Sequence, residues 1–176
     1  VAIHDDQITS WEKSICVVQQ QVFLTESSIA ENIAFGVDLA NIDMDRVKLV
    51  AGVAHLSDFI GTLDSGYSTK VGERGVQLSG GQRQRIGIAR AIYNLSDVIV
   101  FDEATSALDG VTESMIMQAI NELRGSKTII IVAHRLKTVK NCDKIFHINN
   151  GRLEGEGSFD ELLKNDQSFK DLAQES

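Results

Sequence analysis

Two short, uninterrupted apolar runs constrain the fold of this chain more than any other feature. Val98–Phe101 and Thr128–Ala133 are rich in β-branched residues and lack the apolar–polar alternation of a half-exposed strand. Such runs are typical of parallel strands covered on both faces. Met115–Leu123 lies between them and predicts the crossover helix of a β-α-β unit. Lys144–Ile148 predicts a further strand of the same sheet, so the expected class is α/β.

The region before Val98 is predicted to be mainly helical, apart from a short strand at Ile15–Val18. Ser28 and Glu31 have the spacing of a capping box, which marks the start of a helix. Residues 43–60 have helical periodicity, and a glycine-rich loop over residues 61–77 follows. The inward face of the 43–60 helix is expected to carry Val47, Val50, Ala51 and Ala54.

The C-terminal part predicts small, separate elements. Asn149-Asn150-Gly151 is a turn signal, and Ser158–Lys164 and Ser168–Gln174 predict two short helices. No run of apolar residues approaches the roughly 18 that a membrane span requires. The net charge of −8 argues against a general nucleic-acid binder, which is usually basic. Cys16 and Cys142 are isolated and have no metal-ligand spacing.

Two acidic residues, Asp102 and Glu103, directly follow the apolar run that begins at Val98. In open α/β sheets, ligands bind beyond the carboxyl ends of the strands. A carboxylate there can hold Mg²⁺, and its neighbour can orient an attacking water. The simpler interpretation is a strand that ends in solvated acids. The sequence Ala104–Asp109 that follows favours the functional interpretation.

Leu78-Ser79-Gly80-Gly81-Gln82 combines a glycine-rich turn with a second capping-box pattern. The N–H groups at such a helix start suit a phosphate, although a well-capped surface helix would have the same pattern. The helix is predicted to run to about Tyr93. Its inward positions are Ile86, Ala89, Ile92 and Tyr93, and three arginines are assigned to a solvated face, Arg83, Arg85 and Arg90.

Two further polar residues carry little information alone. His134 follows the second apolar run, where a histidine is more often a structural hydrogen-bonding group than a catalytic one. Gln20 lies in a polar turn. The chain also lacks G-x-x-x-x-G-K-[ST], the loop that holds the phosphates in many nucleotide-hydrolysing proteins.

Taken together and in order, these segments resemble the nucleotide-binding domain of an ABC transporter, a P-loop NTPase-like fold with a helical subdomain. Gln20 matches the Q-loop, Leu78–Gln82 the LSGGQ motif, and Val98–Glu103 the Walker B motif with its glutamate. Ser106–Asp109 matches the D-loop, and His134 matches the H-loop. The resemblance covers essentially the whole chain.

The resemblance implies a dimer in which two such domains enclose two ATP molecules head to tail. Asp102, with Gln20, would bind Mg²⁺; Glu103 would polarise the water; Gln20 and His134 would sense the γ-phosphate. Asp109 would lie at the dimer interface. The groups expected to contact the ATP of the opposite protomer are Ser79, Gly80, Gly81 and Gln82.

Phe23-Leu24, Ile29–Gly36 and Val71–Gly75 resemble the exporter subclass. In that subclass these segments face the membrane domains, so the expected partners are transmembrane domains and a second nucleotide-binding domain. The expected location is the cytoplasmic face of a membrane. The surface around these segments should expose apolar side chains, including Phe23 and Leu24.

The chain departs from the family pattern at its start, where the adenine-stacking aromatic and the Walker A loop have no counterpart. We therefore expect a chain cut in mid-domain. Residues 1–24 would be a remnant of the catalytic subdomain, 25–95 the helical subdomain, and 96–176 the rest of the catalytic subdomain. Without a phosphate anchor, the chain alone is predicted not to hydrolyse ATP.

Two other functions remain open at this point. The chain could be a non-catalytic module that at most provides its LSGGQ segment to a complete partner. It could also belong to a soluble ABC protein of translation or repair, although the exporter-like segments argue against that.

Overall fold

The computed structural model describes Trp11 and residues 14–72, 76–94, 96–104 and 110–175. The chain divides between Val132 and Ala133 into two compact units. The first contains a three-stranded parallel sheet in the order β1-β2-β3, formed by Ile15–Val18, Val98–Asp102 and Thr128–Val132. The register pairs Val18 with Phe101, and Asp102 with Val132. The predicted parallel pairing of the two apolar runs is confirmed.

Within the described residues only one face of this sheet is covered, so the predicted burial on both faces is not found there. Ile99 and Phe101 are buried in one cluster with residues of the helices before and after β2. The opposite face exposes Val17, Ile130 and Val132, each with about half of its surface accessible (51%, 49% and 46%). Continuous apolar runs are typical of strands with two covered faces, but the described residues supply helices for only one.

The regular elements described between residues 25 and 95 are all helical. The α-helices of the first unit are α1 (Ile29–Ile33), α2 (Met44–Val53), α3 (Ser57–Gly61), α4 (Gly80–Tyr93) and α5 (Gly110–Glu122). Two 3₁₀ turns, Leu39–Asn41 and Gly66–Ser68, complete the set. The predicted glycine-rich loop over residues 61–77 therefore contains one regular turn. The crossover helix α5 begins at Gly110, five residues before its predicted start at Met115.

The single helix predicted over residues 43–60 is broken between α2 and α3. His55 adopts a left-handed backbone with φ of +52°, and Leu56 N–H donates to the Ala51 carbonyl at 2.8 Å. This is the hydrogen bond of a Schellman turn, which ends a helix and buries the residue that follows. Leu56 is fully buried. The predicted inward residues are all buried, namely Val47, Val50, Ala51 and Ala54.

The described residues of the second unit form a hairpin and three helices. β4 (Ile145–Asn149) and β5 (Arg152–Gly157) pair antiparallel, and α6 (Leu136–Val139), α7 (Phe159–Asn165) and α8 (Gln167–Glu175) complete it. The run at Lys144–Ile148 therefore forms a strand, but its predicted place in the parallel sheet is wrong. Asn150 and Gly151 both have positive φ, +48° and +73°. This is the backbone of a two-residue hairpin turn, which pairs β4 directly with β5.

Candidate nucleotide site

Asp102 and Glu103 mark the point where the chain leaves β2. Asp102 is the last residue of the strand and is exposed. Glu103 has a left-handed backbone, with φ of +49°, and its N–H donates to the Val132 carbonyl of β3 at 3.0 Å. A non-glycine residue rarely adopts this conformation, and such strain concentrates at functional sites. This hydrogen bond continues the ladder between β2 and β3 one residue beyond Asp102.

Gln20 lies at the same edge of the sheet as these two acids. It is exposed and follows β1 by two residues, just as Glu103 follows Phe101. Because β1 and β2 are parallel neighbours, their carboxyl ends meet at one edge. The sheet therefore places Gln20, Asp102 and Glu103 at the same edge.

The remaining predicted residues lie elsewhere in the chain. His134 follows β3 by two residues and belongs to the second unit. Asp109, with the rest of the D-loop match from residue 106 onwards, lies outside the described residues. Ser79 and its neighbours form a separate group at the start of α4.

The start of α4 is a complete capping box. The Gln82 side chain accepts a hydrogen bond from Ser79 N–H at 2.8 Å, and Ser79 Oγ accepts one from Gln82 N–H at 3.2 Å. The helix geometry leaves the first N–H groups, those of Gly80 and Gly81, without an intrahelical acceptor. Ser79 and Gly80 are exposed. This arrangement presents N–H donors and a hydroxyl to an anion.

The arginines of α4 do not share one solvated face, so that interpretation is wrong for two of the three. Arg85 donates to the His55 carbonyl at 2.7 Å, and Arg90 donates to the Asn32 carbonyl at 2.9 Å. Both are half-buried, whereas Arg83 is exposed. The buried Gln84 was missed altogether, because a glutamine next to two arginines gives no sequence signal of burial.

An apolar surface is exposed beside α1. Phe23 is 71% exposed and Phe35 45% exposed, and we call these two residues the Phe23–Phe35 patch. The prediction for Phe23 is confirmed. Leu24 is instead half-buried and packs against the core, and Val71 is buried. Residues 73–75 lie outside the described part of the chain.

A cluster of titratable residues in the second unit stabilises that unit. His147 Nδ1 lies 2.7 Å from the Asp166 carboxylate, and Phe169 N–H and the Ser168 hydroxyl donate to the same carboxylate at 3.0 Å. Burial raises the pKa of Asp166, but these hydrogen bonds outweigh it and hold that pKa below its usual value. The polar group thereby anchors α8 to the hairpin.

Comparisons with known proteins agree with the geometry. A family model described as ABC transporter matches residues 1–106. The chain belongs to the ABC transporter family. It is 43% identical over 172 residues to an ATP-dependent lipid A-core flippase of Pseudoalteromonas translucida strain TAC 125, covering 98% of the chain and 29% of the flippase. It is also 43% identical over 160 residues to ATP-binding cassette sub-family B member 5 of Mus musculus, covering 90% of the chain and 13% of that protein.

A solved structure of a bacterial Atm1-family ABC exporter with ATP bound superimposes with a TM-score of 0.84 at 38% identity. The match covers 95% of this chain and 29% of that exporter chain. The α/β ABC ATPase fold is thereby confirmed. The chain spans less than a third of the length of these relatives. None of the helices in its described residues combines the length and apolar character that crossing a membrane demands.

Proposed function

We propose that this chain is part of the ATP-binding and ATP-hydrolysing domain of an ABC exporter, which couples ATP hydrolysis to export across a membrane. Glu103 orients the attacking water, Asp102 binds Mg²⁺ with Gln20, and Gln20 and His134 respond to the γ-phosphate. The segment Ser79–Gln82 contacts the ATP of the opposite protomer.

One observation carries this proposal. Glu103 has a left-handed backbone directly after Asp102, bonds to β3 through its N–H, and lies at the sheet edge that also carries Gln20. A left-handed backbone is uncommon at a non-glycine residue, and together with the place of Glu103 at the carboxyl end of β2 it favours a positioned catalytic carboxylate. Positioning is the main contribution of a protein to phosphoryl transfer.

The residues at this edge also fit the magnesium ion that accompanies ATP. Mg²⁺ prefers oxygen ligands and is usually held by one or two carboxylates together with phosphate oxygens. Asp102 offers an exposed carboxylate, and Gln20 offers an amide oxygen at the same edge. When bound, the ion neutralises charge that develops on the transferred phosphoryl group.

The proposed partners are a second nucleotide-binding domain and the transmembrane domains of the exporter. Asp109 contributes to the first interface. The Phe23–Phe35 patch supports the second, because both exposed aromatic residues contact Arg90, and apolar groups gathered on one surface often mark an interaction site. These partners place the domain at the cytoplasmic face of the membrane.

The test of this proposal is Glu103→Gln in the full-length exporter. The substitution keeps the size of the side chain and removes the negative charge that orients water. We expect turnover to fall by about 10²–10⁴-fold, while ATP binding is retained. Glu122→Gln, an equal change at the exposed end of α5, is the matched control and should leave turnover unchanged. Phosphate release by Glu103→Gln at the parent rate would refute the assignment.

The chain on its own has a second candidate function, that of a module that only provides its Ser79–Gln82 segment in trans. The absence of G-x-x-x-x-G-K-[ST] from its 176 residues favours this function for the isolated chain. We expect no ATP hydrolysis and no measurable binding by calorimetry, because the acids at the β2 edge repel a triphosphate that lacks an anchor. Stoichiometric, Mg²⁺-dependent micromolar binding would contradict this.

A further inference from the structure

The β4–β5 hairpin contains a bulge that places two consecutive residues opposite one histidine. The register pairs Ile148 with Leu153 but His147 with Gly155, so Glu154 is an extra residue of β5. A bulge of this kind re-aims side chains, and bulges are frequent next to functional sites. Glu154 and Gly155 therefore share the position across from His147.

Gly155 provides the space for a carboxylate beside His147. A Cβ atom at Gly155 would lie 2.6 Å from Asp166 Oδ2 and 2.8 Å from Leu162 Cδ2. Real Cβ atoms do not approach other atoms that closely, so glycine is what lets Asp166 lie against the backbone of β5. Asp166 Oδ2 is there 2.7 Å from His147 Nδ1. The side chains of His147 and Asp166 are only 10% and 9% exposed.

Glu154 completes a set of three potential metal ligands. One ligand atom each of His147, Glu154 and Asp166 lies within 4.8 Å of the other two. Among the residues that the structure describes, this is the only such set of three. Zn²⁺ binds both imidazole nitrogen and carboxylate oxygen, whereas Ca²⁺ and Mg²⁺ take oxygen ligands. The two carboxylates together also balance the charge of a divalent ion.

Neighbouring groups hold the three side chains from outside the set. The Ser168 hydroxyl lies 2.7 Å from Glu154 Oε2 and 3.0 Å from Asp166 Oδ1. Asn149 Nδ2 donates to Glu154 Oε1 at 3.1 Å. The Phe169 ring packs edge-on against the imidazole, with the ring centroids 5.6 Å apart. Outer partners of this kind orient the ligands of a metal, and apolar neighbours limit the access of solvent.

We propose that His147, Glu154 and Asp166 form a zinc site that fastens α8 to the β4–β5 hairpin. Tetrahedral bonds of about 2.1 Å separate the ligand atoms by roughly 3.4 Å. His147 and Asp166 therefore move slightly apart, and the exposed Glu154 moves in. The neutral imidazole carries its proton on Nε2, and its Nδ1 lone pair binds the ion in place of the hydrogen bond to Asp166. Water takes the fourth position, and none of the residues proposed to contact ATP takes part.

The first test counts zinc ions in the full-length exporter, stripped of metals by a chelator and without ATP. We expect the unsubstituted protein to bind one more zinc ion per chain than Glu154→Gln. Loss of an outer partner alone weakens metal binding by about 10–100-fold, so loss of a ligand should weaken it at least as much. Because Glu154 is exposed, the substitution should leave the fold intact.

Glu156→Gln is the matched control. It makes the same change two residues further along β5, where the carboxylate lies 3.2 Å from Lys144 Nζ in a surface ion pair. This variant should bind zinc as the unsubstituted protein does.

The second test measures whether zinc fastens α8. Only the closed form has the complete site, so zinc should slow the opening of α8. With free zinc at about 100 times its dissociation constant, hydrogen exchange of the α8 amides should slow by about a hundredfold. Glu156→Gln should show this slowing, and Glu154→Gln should not at the same zinc concentration. A residue that only supports the fold would change exchange equally with and without zinc.

Three results would overturn the proposal. The first is the same number of zinc ions in Glu154→Gln and the unsubstituted protein. The second is exchange of α8 that does not respond to zinc in the unsubstituted protein. The third is a loss of zinc in Glu156→Gln as large as that in Glu154→Gln. None of these measurements depends on ATP hydrolysis, so the proposed function stands or falls separately.

Discussion

Three helices of this chain begin with the same capping box, but one differs from the other two in charge. At α1 and α7 the third helical residue is a glutamate, Glu31 or Glu161. At α4 it is the neutral Gln82. In all three, the serine before the helix and the third residue bond each other's backbone N–H groups.

The two kinds of helix start also differ in whether the serine hydroxyl has an acceptor for its proton. The Ser28 hydroxyl donates to the Glu31 carboxylate at 2.5 Å, and the Ser158 hydroxyl donates to Glu161 at 2.9 Å. In the described residues, Ser79 Oγ accepts from Gln82 N–H but has no acceptor for its own proton. The glutamate thus gives α1 and α7 the negative charge that the helix dipole favours. It also gives the serine hydroxyl an acceptor for its proton.

This difference in charge indicates which helix start is available to bind a ligand. An internal carboxylate compensates the partial positive charge of α1 and α7, whereas α4 keeps that charge and one hydroxyl proton. A phosphate would provide both of the missing features. Gln82 therefore stabilises the helix start without neutralising it, which is what the proposed contact with the ATP of the opposite protomer requires.

The largest effect expected in this comparison comes from replacing Gln82 of α4 by glutamate, the residue that α1 and α7 have at the same position. Gln82→Glu in the full-length exporter should lower the apparent affinity for ATP by roughly ten- to a hundredfold, because two close anions near a protein surface repel by about 1–3 kcal/mol. The measurement is the ATP dependence of hydrolysis, and thermal unfolding should show no loss of stability.

Glu31→Gln is the reciprocal control for this experiment. It removes a carboxylate from α1, where no ligand is proposed, so the ATP dependence should stay at the parent value. If Gln82→Glu also keeps the parent ATP dependence, the charge difference between the helix starts has no functional meaning.

The capping boxes show what the sequence predicts well. A local hydrogen bond between positions three apart needs no knowledge of the rest of the fold, so the starts of α1 and α4 could be predicted residue by residue. The same holds for the inward face of α2, which follows from helical periodicity. Family resemblance then predicted a site shared by Gln20, Asp102 and Glu103, which the parallel sheet places at one edge; their roles stay a prediction.

The errors concern features that depend on distant partners. Whether β3 is covered on both faces depends on which elements pack over it, and Ile130 is exposed because none of the described residues covers it. β5 went unnoticed because Arg152–Gly157 contains two glycines and no β-branched residue, although the Asn150-Gly151 turn predicts a hairpin. The burial of Gln84 depends on a carbonyl 65 residues away.

A smaller effect is expected from removing the capping serines. Ser28→Ala and Ser79→Ala should each destabilise the protein by about 1 kcal/mol, because each loses one capping hydrogen bond. Thermal unfolding measures this loss. Only Ser79→Ala should also lower the rate of ATP hydrolysis, because only Ser79 has a hydroxyl proton left for a phosphate. Equal hydrolysis rates in the two variants would remove the distinction between the helix starts.

The smallest effect is a difference in the response to acid. The hydroxyl and N–H of Ser28 lower the pKa of Glu31, and the N–H and hydroxyl of Ser158 lower that of Glu161. A carboxyl group whose pKa is lowered by folding stabilises the native state above its unfolded pKa. That contribution is lost as the pH falls through the lowered value.

Acidification should therefore weaken the capping boxes of α1 and α7 but not that of α4, since Gln82 does not titrate. The measurement is the NMR chemical shift of the backbone N–H groups of Ser28, Ser79 and Ser158 between about pH 5 and pH 3, the range of glutamate titration. The Ser28 and Ser158 signals should move with the titration of their partner carboxyl groups, while the Ser79 signal stays in place. A Ser79 signal that titrates with them would mean that another acid reaches the start of α4, and that its positive end is not reserved for a nucleotide.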